Sequence, residues 1–244
     1  MRLTRCFVEL PLPVGGNVAL PESAAAHLVR VLRLQQGDAC VLFNGDGHDY
    51  AARLSSVGKR EVLADIQSAQ AIANESPLHL TLVQGIARGE KMDLILQKAT
   101  ELGVAAIIPV MAERTEVKLD AERTAKRVAH WRSVVVSACE QSGRARLPDV
   151  AQPLNLAQGA AAIAEDCMKL TLDPLGEDSL AALHPPAANR VAVAIGPEGG
   201  WSPRDRETLR QAGFTGLRLG PRILRTETAG LAAIAALQSR FGDL

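Results

Sequence analysis

Aromatic residues are scarce in this chain, and so are net charge, paired cysteines and long apolar runs. Only 3% of the 244 residues are Phe, Trp or Tyr, which leaves few flat side chains on which nucleic-acid bases could stack. The formal net charge is zero and the pI is about 7.0, so no global positive field attracts a polyanion. A partner that carries phosphates must therefore meet a local basic patch.

The cysteines and the apolar runs exclude further classes of protein. The four cysteines have neither C-x-x-C nor cysteine–histidine ligand spacing, so we expect reduced thiols, no disulfide and no zinc site; they are Cys6, Cys40, Cys139 and Cys167. No apolar run approaches the roughly 18 residues that a membrane span needs, and the N-terminus lacks the apolar region of a signal peptide. These absences predict a cytoplasmic protein that does not enter the membrane.

The first 72 residues of the chain are predicted to form short strands around one helix. Predicted strands are Cys6–Leu10, Ala39–Phe43, Tyr50–Val57 and Glu61–Ile66, with a helix at Pro21–Leu34. Asn44–Gly47 predicts a hairpin turn between two of the strands. His48 lies beside Asp46 and Asp49, a group that could suggest a metal site. Polar residues are typical of a hairpin tip, so we predict no metal there. One helix among short antiparallel strands indicates a small barrel.

The second part alternates strands with helices. The periodicity lapses at Ala69–Pro77, so we predict a first domain over residues 1–72 and a second over residues 73–244. Predicted strands are Leu78–Val83, Ala105–Val110, Met168–Leu172, Val191–Ile195 and Leu217–Leu219. Predicted helices are Lys91–Leu102, Asp120–Gln141, Leu154–Ala164, Ser179–Leu183, Pro203 to about Gly213, and Thr226 to about Arg240. This alternation indicates an α/β domain with a mainly parallel sheet, whose ligands bind at the carboxyl ends of the strands.

Three of these strand ends carry turns suited to a ligand. Gly196–Gly200 follows one buried strand, and glycines without a Cβ atom let a ligand approach the peptide groups closely. Gly220–Arg225 follows another strand, with Thr226 as a plausible N-cap of the last helix. Asp173 and Pro174 mark the third end. Glu198 is the carboxylate inside the glycine turn; one role for it is to draw the substrate's proton, and the role we predict is to bond backbone N–H groups and hold the loop open.

The motifs IGPEGGW, at Ile195–Trp201, and LGPRILRTETA, at Leu219–Ala229, resemble the C-terminal signature of the RsmE family. That family comprises ribosomal RNA uridine-N3 methyltransferases of the SPOUT class. KMD, QKATELGV and EQSGR upstream agree, and the resemblance covers essentially the whole chain. It implies a PUA-like RNA-binding barrel over residues 1–72 and a SPOUT methyltransferase domain, with a trefoil knot, over residues 73–244. It also implies a homodimer that acts on 16S ribosomal RNA or on the assembled small ribosomal subunit.

The resemblance further implies that the cofactor is S-adenosylmethionine, held by loops of the second domain. The family's loop positions correspond here to Leu172, Gly196, Gly199, Gly200, Leu219, Gly220 and Leu224. Thr226, Glu227 and Thr228 begin a helix and offer hydrogen bonds to the cofactor as well as to the backbone. Arg225 is the candidate catalytic residue, because a guanidinium can stabilise a developing imide anion or bind a phosphate.

Basic and small residues suggest the surfaces for partners. Affinity for RNA comes largely from phosphate contacts, and the candidates for these are Arg2, Arg5, Arg30, Arg33, Arg144 and Arg146. Gly230, Ala233 and Ala236 form a strip of small residues on the last helix, which we predict in the dimer interface. The alternative is that the strip packs inside the subunit.

Three other functions are weighed against uridine-N3 methylation. A dinucleotide-dependent enzyme lacks support, because the chain contains no G-x-G-x-x-G. A noncatalytic ribosome-assembly protein would use the barrel for RNA and would not bind S-adenosylmethionine. Ribose 2′-O-methylation is the closest alternative within the SPOUT class, and the intact RILRTETA motif argues against it by resemblance.

Overall fold

The computed structural model describes residues 3–117, 121–176 and 178–244. Its contacts divide the chain into two compact units. The first comprises the chain up to Glu75 together with Cys139–Leu147, and the second comprises Ser76–Ala138 with Pro148–Leu244. The predicted division between residues 72 and 73 assigned residues 139–147 to the second domain, whereas the structure places them in the N-terminal unit.

The N-terminal unit contains one five-stranded sheet. Its elements are β1 (Arg5–Phe7), β2 (Asn17–Ala19), α1 (Glu22–Ala25), β3 (Ala39–Phe43), β4 (His48–Val57) and β5 (Val62–Ala71). The strand order is β1-β3-β4-β5-β2, with β1 parallel to β3 and the other pairs antiparallel. Its core is filled by fully buried side chains such as Leu28, Leu42 and Leu54.

The structure adds two features that were not predicted in this unit, a π-helical segment within the expected helix and one short strand. The helix expected at Pro21–Leu34 is α-helical only in α1 and continues as a π-helical segment, Ala26–Val31. The wider turn is closed by a hydrogen bond from Leu32 N to His27 O and ends before Arg33, whose φ is 60°. Strand β2 was missed because it has three residues and only its central Val18 is partly buried.

The second unit contains the parallel sheet. Its elements are β6 (His79–Gly85), α2 (Glu90–Glu101), β7 (Ala106–Met111), α3 (Ala121–Ser142), β8 (Asp149–Val150), β9 (Leu154–Asn155), α4 (Leu156–Ala161), β10 (Met168–Leu172), β11 (Asp178–Ser179), β12 (Arg190–Ile195), α5 (Pro203–Gln211), β13 (Thr215–Arg218) and α6 (Thr226–Phe241). A 3₁₀ turn, Leu180–Ala182, replaces the helix predicted at Ser179–Leu183. The predicted start of α3, Asp120, lies outside the described residues.

The order of this sheet is β11-β13-β10-β12-β6-β7-β8, with β9 also beside β7. Every pairing among these described strands is parallel, which confirms the mainly parallel α/β sheet. Val191–Ile195 is buried throughout, as its continuous apolar run predicted. None of the described helices is both long enough and apolar enough to cross a membrane.

Helix α5 begins directly after the glycine turn because its capping box forms as predicted. Ser202 Oγ accepts from Asp205 N at 3.0 Å, and Asp205 Oδ2 accepts from Ser202 N at 3.0 Å. Pro203 occupies the first helical position. This start holds the end of the Gly196–Gly200 turn in place.

The small-residue strip of α6 lies inside the subunit. Ala233 is fully buried, and a Cβ atom on Gly230 would lie 3.7 Å from Ile195 Cγ1 and 3.6 Å from Gln84 Oε1. The prediction of a dimer contact is therefore wrong for Gly230 and Ala233, which pack inside the subunit as the alternative had it, whereas Ala236 is half-buried and its place in an interface stays a prediction. Small side chains are needed here because α6 packs closely over β12 and β6 of its own sheet.

Replacing Ala233 by leucine should lower the free energy of unfolding by about 1–3 kcal/mol, because extra methylenes overpack this contact. Urea denaturation measures the change, and Ser239→Leu, on the exposed side of α6, is the matched control. Unaltered stability of Ala233→Leu together with a changed sedimentation coefficient would return the strip to the interface.

Candidate functional site

A cavity of about 380 Å³ opens at the carboxyl ends of β10, β12 and β13. Thr171 of β10 pairs with Ala194 of β12, and Leu172 of β10 pairs with Leu217 of β13, so the three strands end at one edge. The loops that follow them form the cavity wall. Ligands of parallel α/β sheets bind at this edge, and the volume is within the range of small-molecule sites.

The structure brings most of the predicted cofactor residues to this cavity. Nine of the ten line it, namely Leu172, Gly196, Gly199, Gly200, Leu219, Gly220, Leu224, Thr226 and Glu227. The candidate catalytic residue Arg225 lines it as well. Thr228 is exposed further along α6 and is not part of the wall. Three segments far apart in the chain thus share one site.

Thr226 joins the two glycine-containing loops. Its buried hydroxyl donates to Gly196 O at 2.6 Å and accepts from Gln84 Nε2 at 3.1 Å. Arg225, not Thr226, is the N-cap of α6, and its side chain makes no capping bond. Gln84 was not among the predicted site residues, because the sequence shows it only as a polar residue near the end of a buried strand.

Two glycines of the wall sit where another residue would change the loop. Gly220 has a φ of 69°, a conformation that side chains with a Cβ atom rarely adopt. A Cβ atom on Gly199 would lie 2.9 Å from Cβ of Arg114, whose Nη1 donates to Gly199 O at 2.9 Å. The Gly196–Gly200 turn is thus held in place by the side chain of Arg114, which lies just after β7.

Glu198 fastens the same turn to the loop after β6. Its Oε1 accepts from Arg88 N at 3.1 Å and lies 3.5 Å from Lys91 Nζ, which agrees with the predicted loop-holding role. Burial raises the pKa of the Glu198 carboxyl, but backbone hydrogen bonds, chiefly from Arg88, and the charge of Lys91 outweigh it. The pKa therefore lies below its ordinary value of 4.5.

This lowered pKa predicts a pH-dependent contribution to stability. A folded-state pKa below the unfolded one stabilises the protein above about pH 4.5, and the contribution is lost as the pH falls through the folded pKa. Glu198→Gln should therefore melt at a lower temperature than the wild type at pH 7, and the difference should close in acid. Glu165→Gln, an exposed carboxylate of the same unit, should show no such difference. A difference for Glu198→Gln that is constant from pH 7 to pH 3 would contradict this role.

The base of the cavity is partly polar. Trp201 is buried and donates from Nε1 to Thr171 Oγ1 at 2.9 Å. Arg206 and Asp173 form an ion pair on the wall. Among the described residues, nothing bonds to the buried Oε2 of Glu227. An acceptor oxygen beside apolar leucines and open glycine backbone fits a ligand that combines an apolar ring with hydroxyl or ammonium donors.

Two of the predicted RNA-contacting arginines are structural, and those predictions are wrong. Arg5 is paired with Asp49 at 2.6 Å and donates to Cys139 O at 2.7 Å. Arg144 bonds Glu75 Oε1 at 3.0 Å. Both side chains are buried, with 8% and 5% of the residue exposed, so their charges need partners within the protein.

The other RNA candidates stay predictions. Arg30, Arg33 and Arg146 are exposed, whereas Arg2 lies outside the described residues. At the hairpin tip, Asp46 accepts from Tyr50 Oη at 2.6 Å and from His48 N at 2.9 Å. Within the described parts of the chain, no three His, Cys, Asp or Glu side chains are grouped so that they could hold a metal.

Comparison with known proteins agrees with this architecture. A family model for the RNA methyltransferase domain matches residues 74–238, and a model for the RNA methyltransferase PUA domain matches residues 20–67. The chain belongs to this RNA methyltransferase family. The resemblance to the RsmE family and the presence of a PUA domain are thereby confirmed.

Individual family members resemble the chain over its full length. Ribosomal RNA small subunit methyltransferase E of Buchnera aphidicola (subsp. Schizaphis graminum) is 33% identical, over 100% of this chain and 98% of the relative. The same-named protein of Neisseria gonorrhoeae, solved with S-adenosylmethionine, is 40% identical with a TM-score of 0.92. A Legionella pneumophila protein, solved with the same cofactor, is 39% identical with a TM-score of 0.95. Both structures match 100% of each chain.

Proposed function

We propose that this chain transfers a methyl group from S-adenosylmethionine to N3 of a uridine in 16S ribosomal RNA. The observation that carries the proposal is the cavity at the ends of three parallel strands, lined by nine of the ten residues expected to hold the cofactor. Support comes from the full-length relatives, which are named small subunit methyltransferases and of which one was solved with this cofactor.

The residues of the wall fit the proposed cofactor. When bound, S-adenosylmethionine supplies an electrophilic methyl group on a sulfonium, and the methyl leaves a neutral thioether behind. Backbone groups of the two glycine-containing loops would bind the polar edges of the cofactor, and Leu172, Leu219 and Leu224 would contact its apolar faces. The unpaired Oε2 of Glu227 would accept from an ammonium or a hydroxyl. Thr228 is left out of the proposed site because it does not line the cavity.

Arg225 would stabilise the uracil anion that forms when the weakly acidic N3 imide gives up its proton to solvent water. The residue lines the cavity and caps α6, whose free N–H groups add a partial positive charge at the same place. A guanidinium has no acceptor atom, so Arg225 would hold the developing negative charge and not take the proton itself. Positioned charge of this kind is commonly the largest single contribution to catalysis.

The finer features that the resemblance implies belong to the same proposal. We infer a trefoil knot, a homodimer, a cytoplasmic location, and the assembled small ribosomal subunit or its 16S RNA as the partner. The knot, the homodimer and the location rest on the resemblance to the RsmE family, and the RNA partner is supported by the full-length relatives that are named small subunit methyltransferases. The predicted division at residues 72 and 73 is kept for the linear part, with residues 139–147 added to the N-terminal domain.

The test is to identify the nucleoside that the protein makes. Small ribosomal subunits reassembled with 16S RNA transcribed in vitro would be incubated with the protein and S-adenosylmethionine, digested, and analysed by mass spectrometry. The proposal predicts 3-methyluridine. A 2′-O-methylnucleoside would favour the ribose methyltransferase, and a protein that neither binds the cofactor nor makes a methylated product would favour a noncatalytic assembly protein.

A further inference from the structure

Three arginines on the wall of the cavity have no partner among the residues that the structure describes. Arg218, Arg222 and Arg225 are exposed and line the cavity. In the part of the chain that the structure describes, no carboxylate or carbonyl bonds their guanidinium groups. By contrast, Arg206 on the same wall is paired with Asp173, and Arg114 donates to Gly199 O.

These unpaired guanidiniums form a local basic patch in a chain of zero net charge. Arg5 and Arg144, which were predicted to bind RNA, instead form ion pairs within the protein. Three positive charges within eight residues repel one another and do not stabilise the fold through ion pairs. We therefore assign them to the binding of an anion. Arginine forks bind phosphates and carboxylates in bidentate pairs, and phosphates are the anions that an RNA substrate supplies.

The patch also contains an apolar residue. Ile223, between Arg222 and Leu224, lines the cavity with 84% of its surface exposed. Gly220 lies between Arg218 and Arg222, and its positive φ reverses the chain so that both arginines reach the same cavity. A rim with free guanidiniums around an exposed aliphatic side chain matches a nucleotide, which is anionic at its phosphate and apolar on its base face.

We propose that Arg218 and Arg222 bind backbone phosphates of the RNA beside the target nucleotide, and that Ile223 contacts that nucleotide. This inference rests on the proposed function and deepens it, because it assigns the substrate side of the cavity. Phosphate contacts of this kind position the RNA and carry no sequence information. A sulfonium cation gains nothing from a neighbouring guanidinium, and the affinity for S-adenosylmethionine separates a phosphate contact of these arginines from one to the carboxylate of the cofactor.

The experiment compares two double variants of equal charge. Arg218→Gln with Arg222→Gln removes the proposed contacts, whereas Arg204→Gln with Arg210→Gln removes two exposed arginines of α5 that do not line the cavity. Binding is measured between 0.05 and roughly 0.3 M salt, with in-vitro-transcribed 16S RNA and with subunits reassembled from it. Calorimetry measures the affinity of each variant for S-adenosylmethionine.

Each lost phosphate contact should reduce the slope of log K against log salt by about 0.7 on single-stranded RNA, so the first double variant should lose about 1.4. Extrapolated from 1 M to 0.1 M salt, that change corresponds to roughly 25-fold weaker RNA binding. The α5 variant should bind RNA like the wild type, and both should keep the affinity for S-adenosylmethionine.

Three results would overturn the inference: a wild-type slope in the first variant, an equal loss in both variants, or a loss of cofactor affinity in the first. Failure of the proposed function is separate from all of these. It would appear as a wild-type protein that makes no 3-methyluridine, whatever the slopes. A wild-type protein that makes this product, with an unchanged slope in the first variant, would refute only the phosphate contacts of Arg218 and Arg222.

Discussion

Replacing Gly220 by valine should reduce the affinity for S-adenosylmethionine by roughly 30-fold to 150-fold. The φ of 69° is a left-handed conformation, and a β-branched residue there costs about 1–3 kcal/mol unless the loop changes. A changed loop would move Leu219 and Leu224 away from the cavity wall. Losing two or three hydrogen bonds of about 1 kcal/mol each gives the expected range. Calorimetry measures the affinity directly.

The matched control is Gly37→Val. Gly37 has a φ of 91° and, like Gly220, has no neighbouring atom within 4 Å of the position of an added Cβ. It does not line the cavity, so its substitution should lower the melting temperature and leave cofactor affinity unchanged. Equal loss of affinity in both variants would show that general destabilisation, not the wall of the cavity, is responsible.

Thr226→Val should be the next most damaging change, with S-adenosylmethionine affinity reduced roughly 10-fold to 100-fold. Valine keeps the shape of threonine but removes the hydroxyl that joins Gly196 O to Gln84 Nε2. Leaving a buried polar group unsatisfied costs about 1–3 kcal/mol, and the glycine turn would shift to recover a partner. Calorimetry again measures the effect.

Thr226→Ser is the control for this prediction, because serine retains the hydroxyl and loses only a methyl group. It should bind the cofactor much more tightly than Thr226→Val. If the valine variant binds like the wild type, the hydrogen bonds of Thr226 do not position the turn, and the account of the two joined loops is wrong.

The elements around the site were predictable because their signals are local. Strand β10 has the predicted bounds, Met168–Leu172, and the capping box at Ser202 and Asp205 forms as expected. Buried parallel strands are continuous apolar runs, and caps depend on residues three apart. Glycine-containing turns after such strands then locate the wall of the cavity, since parallel strands end at one edge.

The wrong predictions concern pairings between distant residues. Arg5 meets Asp49, 44 residues away, and Arg144 meets Glu75, 69 residues away. Composition and spacing show that an arginine is present but not whether a carboxylate reaches it. The strip on α6 failed in the same way, because small residues permit close packing without identifying the surface that packs.

The hydrogen bonds at the centre of the site had no local signal either. Gln84 and Thr226 are 142 residues apart, and only the fold brings them together beside Gly196. The unpaired state of Arg218 and Arg222 is likewise visible only once their surroundings are known. Residue types at strand ends therefore indicated where a ligand binds, and the three-dimensional structure was needed to separate binding residues from supporting ones.

A crystal structure of the protein grown with S-adenosylmethionine would show whether the cavity at the ends of β10, β12 and β13 holds the methyl donor. We expect cofactor density between Gly196–Gly200 and Leu219–Leu224, with Oε2 of Glu227 within hydrogen-bonding distance. A second cavity of about 350 Å³ is lined by His79, Ile163 and Arg190. Density there, with the first cavity empty, would contradict the account.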